Sequence, residues 1–416
     1  MAPSQLDGEA STRGRTDEPH LVFDNLDLDL VIKVLSKTIF SPFFTIFLPL
    51  TFLAQVRSTS HPAFIVSCAW TVIVCLFGAL RHADRVYANQ ASWILAPPKL
   101  DWGDQIVLIT GGGSGIGALL AETLAMRNVS VVVLTKDPPK YETQNENIYT
   151  YTCDVSDYAQ VQAAAGKIRE EVGDPTIIVN NAGVVKGKLL LDLTEDDVKD
   201  TFGANTLAHF WTLKTFLPAM LARASGHVVT MSSVLGVVGC AQMTDYCASK
   251  AALVNLHQSL RFELDNRYHT PAIRTTLLLP SFTRTSLFSL AALPGSRPGP
   301  LGAIWSFLAP ELQPHVVVKA IIDALDAGES RVCRLPWYTH AARGLGAGVG
   351  VVPKWMGDLL QRLAGADHAM RAYGPKPDAG ERLLAEREAQ ASASASASAS
   401  VDEKGGSRSD AKAQSE

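Results

Sequence analysis

Four consecutive apolar residues, Ile106, Val107, Leu108 and Ile109, lead into Thr110-Gly111-Gly112-Gly113-Ser114-Gly115-Ile116-Gly117, and a helical pattern follows over 118–126. A strand, a glycine turn and a helix in that order open a dinucleotide-binding unit. Glycines let the backbone approach a pyrophosphate, and the helix N-terminus offers it unpaired N–H groups. The spacing is G-x-x-x-G-x-G, on Gly111, Gly115 and Gly117, and differs from the commoner G-x-G-x-x-G. A glycine cluster alone is weak evidence; its place behind a buried-strand pattern strengthens it.

The rest of the chain repeats that alternation. Apolar runs at 105–110, 130–134, 176–180, 227–231, 274–279 and 330–335 read as strands separated by helical stretches. Such alternation predicts an α/β fold with a doubly wound parallel sheet and helices on both faces.

A second pattern carries chemistry. Ser233, Tyr246 and Lys250 stand at the spacing S-x12-Y-x3-K. Tyr246 and Lys250, four apart, share one face of a helix and meet the same substrate atom. A phenol with a pKa of about 10 is a poor acid-base group at neutral pH, and a neighbouring ammonium is expected to lower it. Ser233 supplies a hydroxyl to hold a carbonyl or alcohol oxygen. A Tyr-x3-Lys pair by itself is ordinary helix surface; its company gives it meaning.

Together, TGGGSGIG, the Asn180-Asn181-Ala182-Gly183 segment and the Ser233, Tyr246, Lys250 set resemble the short-chain dehydrogenase/reductase family, over about 235 residues from Gln105 to Pro336. The resemblance implies a Rossmann domain and a nicotinamide cofactor. It implies that Gly111, Ser114, Gly115, Ile116 and Gly117 bind that cofactor, that Asp154 and Val155 cradle its adenine, and that Asn181, Ala182 and Gly183 line it. Tyr246 and Lys250 also contact it, and Thr285 takes the nicotinamide-side position. Asn205, in the helix after Asn180-Gly183, matches the fourth catalytic position, whose water links the lysine to solvent. The family has glycine where this chain has Ser281, which puts the local backbone geometry in question.

Cofactor choice is read after the second strand, where Thr135 and Lys136 precede Asp137. A hydroxyl and an ammonium suit the extra phosphate of NADP, whereas an acidic residue binds the ribose of NAD. NADP(H) is therefore expected, with Asp137 leaving NAD open if the loop is shifted.

Two uncharged apolar segments, 38–56 and 62–80, precede the enzyme domain and are separated by Arg57, Ser58, Thr59, Ser60 and His61. Each reaches roughly 28 Å as a helix, enough to cross a hydrocarbon core of about 30 Å. Two N-terminal transmembrane helices are the leading expectation. The alternatives are a shallow re-entrant hairpin, a first segment kinked by Pro42 and Pro49 to lie in the interface, and plain core packing. Lys33, Lys37, Arg81 and Arg85 flank the pair, so the positive-inside rule places the catalytic domain in the cytosol; the expected membrane is the endoplasmic reticulum or a lipid droplet. Asn128-Val129-Ser130 is a sequon whose glycosylation would contradict that orientation.

The expected organisation is a polar tail (1–32), an anchor (33–85), a linker (86–102), the Rossmann domain (103–336), a membrane-facing appendage (337–385) and a disordered Ala-Ser tail (386–416). Within the Rossmann domain, 286–312 is expected to form an apolar lid. Net charge is −4, giving no reason to invoke nucleic acid, and the six cysteines show no metal spacing. A homodimer is compatible with the fold class and is not specified by the sequence.

The whole arrangement is similar to the membrane-associated retinol dehydrogenase and 17-beta-hydroxysteroid dehydrogenase branch of the family. That resemblance implies a lipophilic alcohol or carbonyl substrate, a retinoid, steroid or long-chain aldehyde, faced by Val238, Cys240 and Met243. The alternatives are a ketolipid reductase acting on a 3-ketoacyl or 3-ketosphinganine compound, and a non-catalytic nucleotide-binding scaffold on a membrane or lipid droplet. The intact Ser-Tyr-Lys set argues against the scaffold.

Overall fold

A computed structural model describes residues 27–55, 59–90, 100–139, 141, 145–289, 291, 300–340, 355, 359, 362 and 368–390. Seven parallel strands form one sheet: β1 (Ile106–Thr110), β2 (Ser130–Thr135), β3 (Ile148–Thr152), β4 (Ile177–Asn180), β5 (Gly226–Met231), β6 (Ile273–Pro280) and β7 (Arg331–Leu335). Their order is β3-β2-β1-β4-β5-β6-β7. The chain therefore reverses direction across the sheet between β1 and β4, and the crevice at their C-terminal ends is where such sheets bind ligands.

The central strands are apolar throughout because helices cover both faces. On one face Leu120 and Leu124 of the helix Gly115–Ala125 and Val317 and Ile321 of Pro314–Asp326 pack on Val107, Ile109 and Val179. On the other, Val161 and Ile168 of Tyr158–Glu171, Phe216 of Ala208–Arg223 and Leu260 of Thr244–Asn266 pack on Leu108, Val132 and Ile178. Six strands match the expected apolar runs. β3 was not among them: its sequence IYTYT mixes Thr and Tyr with a single aliphatic residue, because it is an edge strand paired only with β2 and half exposed.

The N-terminal region departs from two equal spans. The helix Pro62–Asn89 is long and apolar enough to cross a membrane, with mean hydropathy 2.4 and 11% of its apolar window buried. The expected first segment, 38–56, is helical only from Pro42 to Gln55, and that stretch is bent by 54° from the preceding helix Leu28–Lys37. The break falls before Pro42, which sits at the first position of a new helix, where its missing N–H is not needed. Trp70 Nε1 donates to Ile39 O at 3.1 Å and Thr71 Oγ1 to Thr45 O at 2.7 Å, so the two segments pack together. Arg57 and the centre of the expected turn lie outside the described residues, as do the 91–99 part of the linker, the 391–416 tail and the glycine-rich run after Arg343.

Pro62–Asn89 also runs past its apolar part to dock on the sheet. Asn89 is 2% exposed; its Oδ1 accepts from Ser330 N at 2.5 Å, and its main-chain O accepts from Arg274 Nη1 at 2.8 Å. Arg85 pairs with Glu329 at 3.6 Å. Replacing Asn89 with Ala leaves the Ser330 N–H buried without its acceptor, a cost of about 1–3 kcal/mol. The melting temperature of the full-length protein in detergent should fall by several degrees; an unchanged value contradicts this docking.

Candidate active site

The turns after β1 and β4 are built as one unit. Thr110 Oγ1 accepts from Asn181 N and Ala182 N, both at 3.0 Å, and Asn181 Nδ2 donates to Thr110 O at 3.1 Å and Gly111 O at 3.2 Å. Gly111 lies against Ala182, and a Cβ on Gly117 would meet Gly111 O at 2.5 Å and Asn181 Nδ2 at 2.6 Å. Glycine at 117 is what allows the helix to start this close to the turn. Ser114 is the exposed N-cap and its side chain caps nothing, so the first N–H groups of Gly115–Ala125 face the crevice. Thr285 stands across it, 3.7 Å from where a Gly115 Cβ would lie. Ile116 packs inward on the core. An open helix N-terminus and a side-chain-free cradle fit the pyrophosphate of a nicotinamide dinucleotide. Tyr141, which no sequence pattern marks, braces the turn by donating to Gly112 O at 3.1 Å.

At the tip of β2 the expectation divides. Thr135 is buried, and its hydroxyl donates to Asp137 O at 2.9 Å while packing under Gly113, so it shapes the turn and does not present itself to a phosphate. Lys136 is exposed and donates to Asp154 Oδ2 at 2.9 Å. That hydrogen bond raises the Lys136 pKa. At Asp154 burial pushes the pKa up, but hydrogen bonds from Ser156 and Lys136 hold it below the usual carboxylate range. Exposed pairs of this kind contribute about 0–1 kcal/mol, so Lys136 is easily released to a ligand. Val155 is buried in the core below them.

The catalytic candidates converge at the far end of β5. Ser233 caps a short helical turn, its Oγ accepting from Leu235 N at 3.2 Å and donating to Pro280 O at 3.3 Å. The helix Thr244–Asn266 buries Tyr246, Lys250, Leu253 and His257 along one stripe, which puts the phenol and the ammonium on the same face. Lys250 Nζ lies 5.6 Å from the Tyr246 ring centroid and donates to Met231 O at 2.9 Å. Burial lowers its pKa to about 8. Burial also pushes the Tyr246 phenol well above its ordinary value, opposed by its hydrogen bond with Ser233. With these residues alone the phenol is raised and not lowered, because desolvation outweighs the hydrogen bond with Ser233.

Asn205 occupies a π-helical turn, Gly203–Leu207, and is fully buried. Its Oδ1 accepts from Val184 N at 2.7 Å, and its Nδ2 donates to Val184 O at 3.1 Å and Ser249 Oγ at 3.0 Å. Both N–H groups are used, and one lone pair of Oδ1 is left for a relay. Gly183 lies between it and Lys250: a Cβ there would stand 3.2 Å from Asn205 Oδ1 and 3.5 Å from Lys250 Nζ. Ser249 is a partner that sequence spacing did not reveal.

Ser281 needs no glycine-like backbone: its φ is not positive, its N–H donates to Leu335 O at 2.8 Å, and its hydroxyl pairs with Tyr338 OH. Over Tyr246 lies an apolar cluster of Val234, Leu235, Cys240, Met243 and Met370, with Val238 and Phe288 at its margin. Cys240 and Met243 were expected there. Met370 was not: it belongs to the expected membrane-facing appendage, yet it is fully buried against the site. Long-range packing of this kind leaves no local pattern in sequence.

Residues 105–292 match the family model described as short chain dehydrogenase. The chain is 35% identical over 296 residues to short-chain dehydrogenase/reductase family 16C member 6 of Bos taurus, covering 69% of this chain and 89% of that protein. It is 33% identical over 317 residues to retinol dehydrogenase 10 of Homo sapiens, covering 68% and 89%. Among solved structures, ligand-free aldohexose dehydrogenase of Thermoplasma acidophilum aligns at 22% identity and TM-score 0.49, covering 62% of this chain and 100% of that one. The chain belongs to the short-chain dehydrogenase/reductase family of NAD(P)-dependent oxidoreductases that act on CH–OH groups, in its retinol dehydrogenase-like branch.

Proposed function

We propose that this protein is a membrane-anchored oxidoreductase exchanging hydride between NADP(H) and a lipophilic alcohol or carbonyl compound, with retinoids as the leading class. The observation that carries the reading is the convergence of Ser233, Tyr246 and Lys250 beneath an apolar cluster and beside the glycine turn. Relatives named as retinol dehydrogenases support the retinoid class.

When bound, the nicotinamide supplies or accepts the hydride at the substrate carbon. Ser233 and Tyr246 hold the substrate oxygen between their hydroxyls. In reduction Tyr246 gives that oxygen its proton; in oxidation it takes one. Lys250, held by Met231 O, keeps positive charge under the ring, and a water on the free lone pair of Asn205 Oδ1 would link its ammonium to solvent so that the proton used at the phenol can be replaced. Asn205 also fixes the Val184 backbone, and with it the loop that walls the site. The apolar cluster keeps bulk water from the transferred proton.

Lys136 is the group that favours NADP(H), trading Asp154 for the added phosphate. Lys136→Ala should lower the ratio of kcat/KM with NADPH to that with NADH by about tenfold or more, the worth of one charge-assisted contact. Steady-state kinetics with both cofactors measure it, and an unchanged ratio contradicts the assignment.

The direction of Pro62–Asn89 supports a substrate drawn from the bilayer. Asn89 meets Ser330 just before β7, whereas Trp337 N, just beyond β7, donates to Asp29 Oδ1 at the start of the first anchor helix, whose continuation packs on Trp70 of Pro62–Asn89. The helix therefore runs opposite to β7, and its apolar part projects from the edge of the sheet where the catalytic groups lie. Assaying microsomes that carry the protein with retinoids, steroid ketones and ketolipids, with either cofactor, tests the reading. Turnover confined to ketolipids, or absent throughout, overturns it.

A further inference from the structure

We infer that the C-terminal strap, 368–382, closes the substrate cavity and that Met370 sets the size of substrate this enzyme accepts; the inference rests on the oxidoreductase reading above. Met370 is fully buried in the same cluster as Tyr246, Cys240 and Met243. Its neighbour Tyr373 reaches one wall of the mouth, donating from its hydroxyl to Leu287 O at 3.1 Å. It also seals the other wall: a Cβ on Gly187, whose φ is +65°, would lie 2.5 Å from Tyr373 Cβ and 3.2 Å from Met370 Cε. A side chain at 187 would lift the strap off the site.

The strap is pinned again farther on. Asp192, in the loop after β4, accepts from Ala379 N at 2.9 Å and from Arg382 Nη2 at 2.5 Å. The Asp192 side chain is only 3% exposed while that of Arg382 is 47% exposed, so the latch is sheltered on the Asp192 side and open to solvent on the other. The strap thus joins the turn Ser286–Phe288, beside Tyr246, to the 187–192 loop, passing over the catalytic phenol. Phe288 completes the enclosure, its ring 6.2 Å from that of Tyr246 and nearly perpendicular to it. With both walls tied, the space above Tyr246 is limited by whatever the strap inserts, and it inserts a methionine. An unbranched thioether yields to differently shaped apolar ligands but still occupies volume. Met370 is therefore a specificity-determining residue, and Arg382 acts on specificity through the position of the strap.

The test is steady-state reduction, by full-length protein in nanodiscs with NADPH, of a series of apolar aldehydes and ketones of increasing width. Met370→Trp should lower kcat/KM for the widest member relative to the narrowest by about tenfold or more, the scale on which apolar pockets discriminate small changes in size. Met370→Ala should shift the same ratio in the opposite direction. Arg382→Glu, which opens the latch and leaves the cavity wall intact, should flatten the size dependence. A ratio within twofold of wild type in both Met370 variants overturns the role of Met370. A wild-type profile in Arg382→Glu overturns closure by the strap. Both outcomes leave the oxidoreductase reading standing, whereas absence of turnover by the wild type overturns that reading and this inference with it.

Discussion

Tyr246→Phe should reduce turnover by about 10²- to 10⁴-fold, the contribution of a positioned general acid or base, while leaving NADPH affinity within about twofold. The substitution removes one oxygen and keeps the ring. Packing against Phe288 and the cluster of Val234, Met243 and Met370 is preserved, so the fold should be undisturbed. What is lost is the phenol beside Ser233, the group proposed to exchange a proton with the substrate oxygen. Lys250 is not expected to take over, because its Nζ is held by Met231 O, 5.6 Å from the centre of the phenol ring. Cofactor binding by fluorescence and turnover on the same preparation check both halves. Retained turnover would assign the proton to another group.

Gly117→Ala should weaken NADPH binding at least about tenfold and lower the melting temperature. The added methyl would sit 2.5 Å from Gly111 O, a main-chain atom that cannot move without deforming the turn. Overpacking of this kind costs about 1–3 kcal/mol, or several degrees for a domain of this size. The turn that would deform is the one meant to hold the pyrophosphate, so affinity and stability should fall together. Gly166→Ala is the control: it lies within the helix Tyr158–Glu171 with nothing within 4 Å of its Cβ position. That change should be neutral or stabilising by up to about 1 kcal/mol. Equal melting temperatures for the two variants would contradict the close-approach argument.

Much of the site is visible in sequence because its determinants are local. The glycine turn needs only neighbouring residues, and Tyr246 and Lys250 need only the pitch of a helix. The five central strands are apolar because both their faces are buried and stand out for that reason, and the edge strand β7 is marked by Val332, Cys333 and Leu335. β3 hides because an edge strand need not be apolar. Thr135 misleads because its hydroxyl turns inward to Asp137 O, which depends on the shape of the loop. The break before Pro42 shows that an uncharged run of spanning length does not guarantee a single helix. Residues brought together from far apart, Ser249 with Asn205, Met370 with Tyr246 and Asn89 with Ser330, carry no periodic signal and emerge only from the fold.

In the proposed reaction this chain moves hydride between a nicotinamide and a lipophilic carbonyl carbon, with Tyr246 handling the proton. Incubating the full-length protein in nanodiscs with retinaldehyde and NADPH deuterated at either face of C4, then weighing the retinol formed, tests it most directly. One of the two labelled cofactors should place a single deuterium on the carbinol carbon, and Tyr246→Phe should yield almost no labelled product. Retinol without deuterium from either cofactor, or labelled product at the wild-type rate from Tyr246→Phe, would contradict the account.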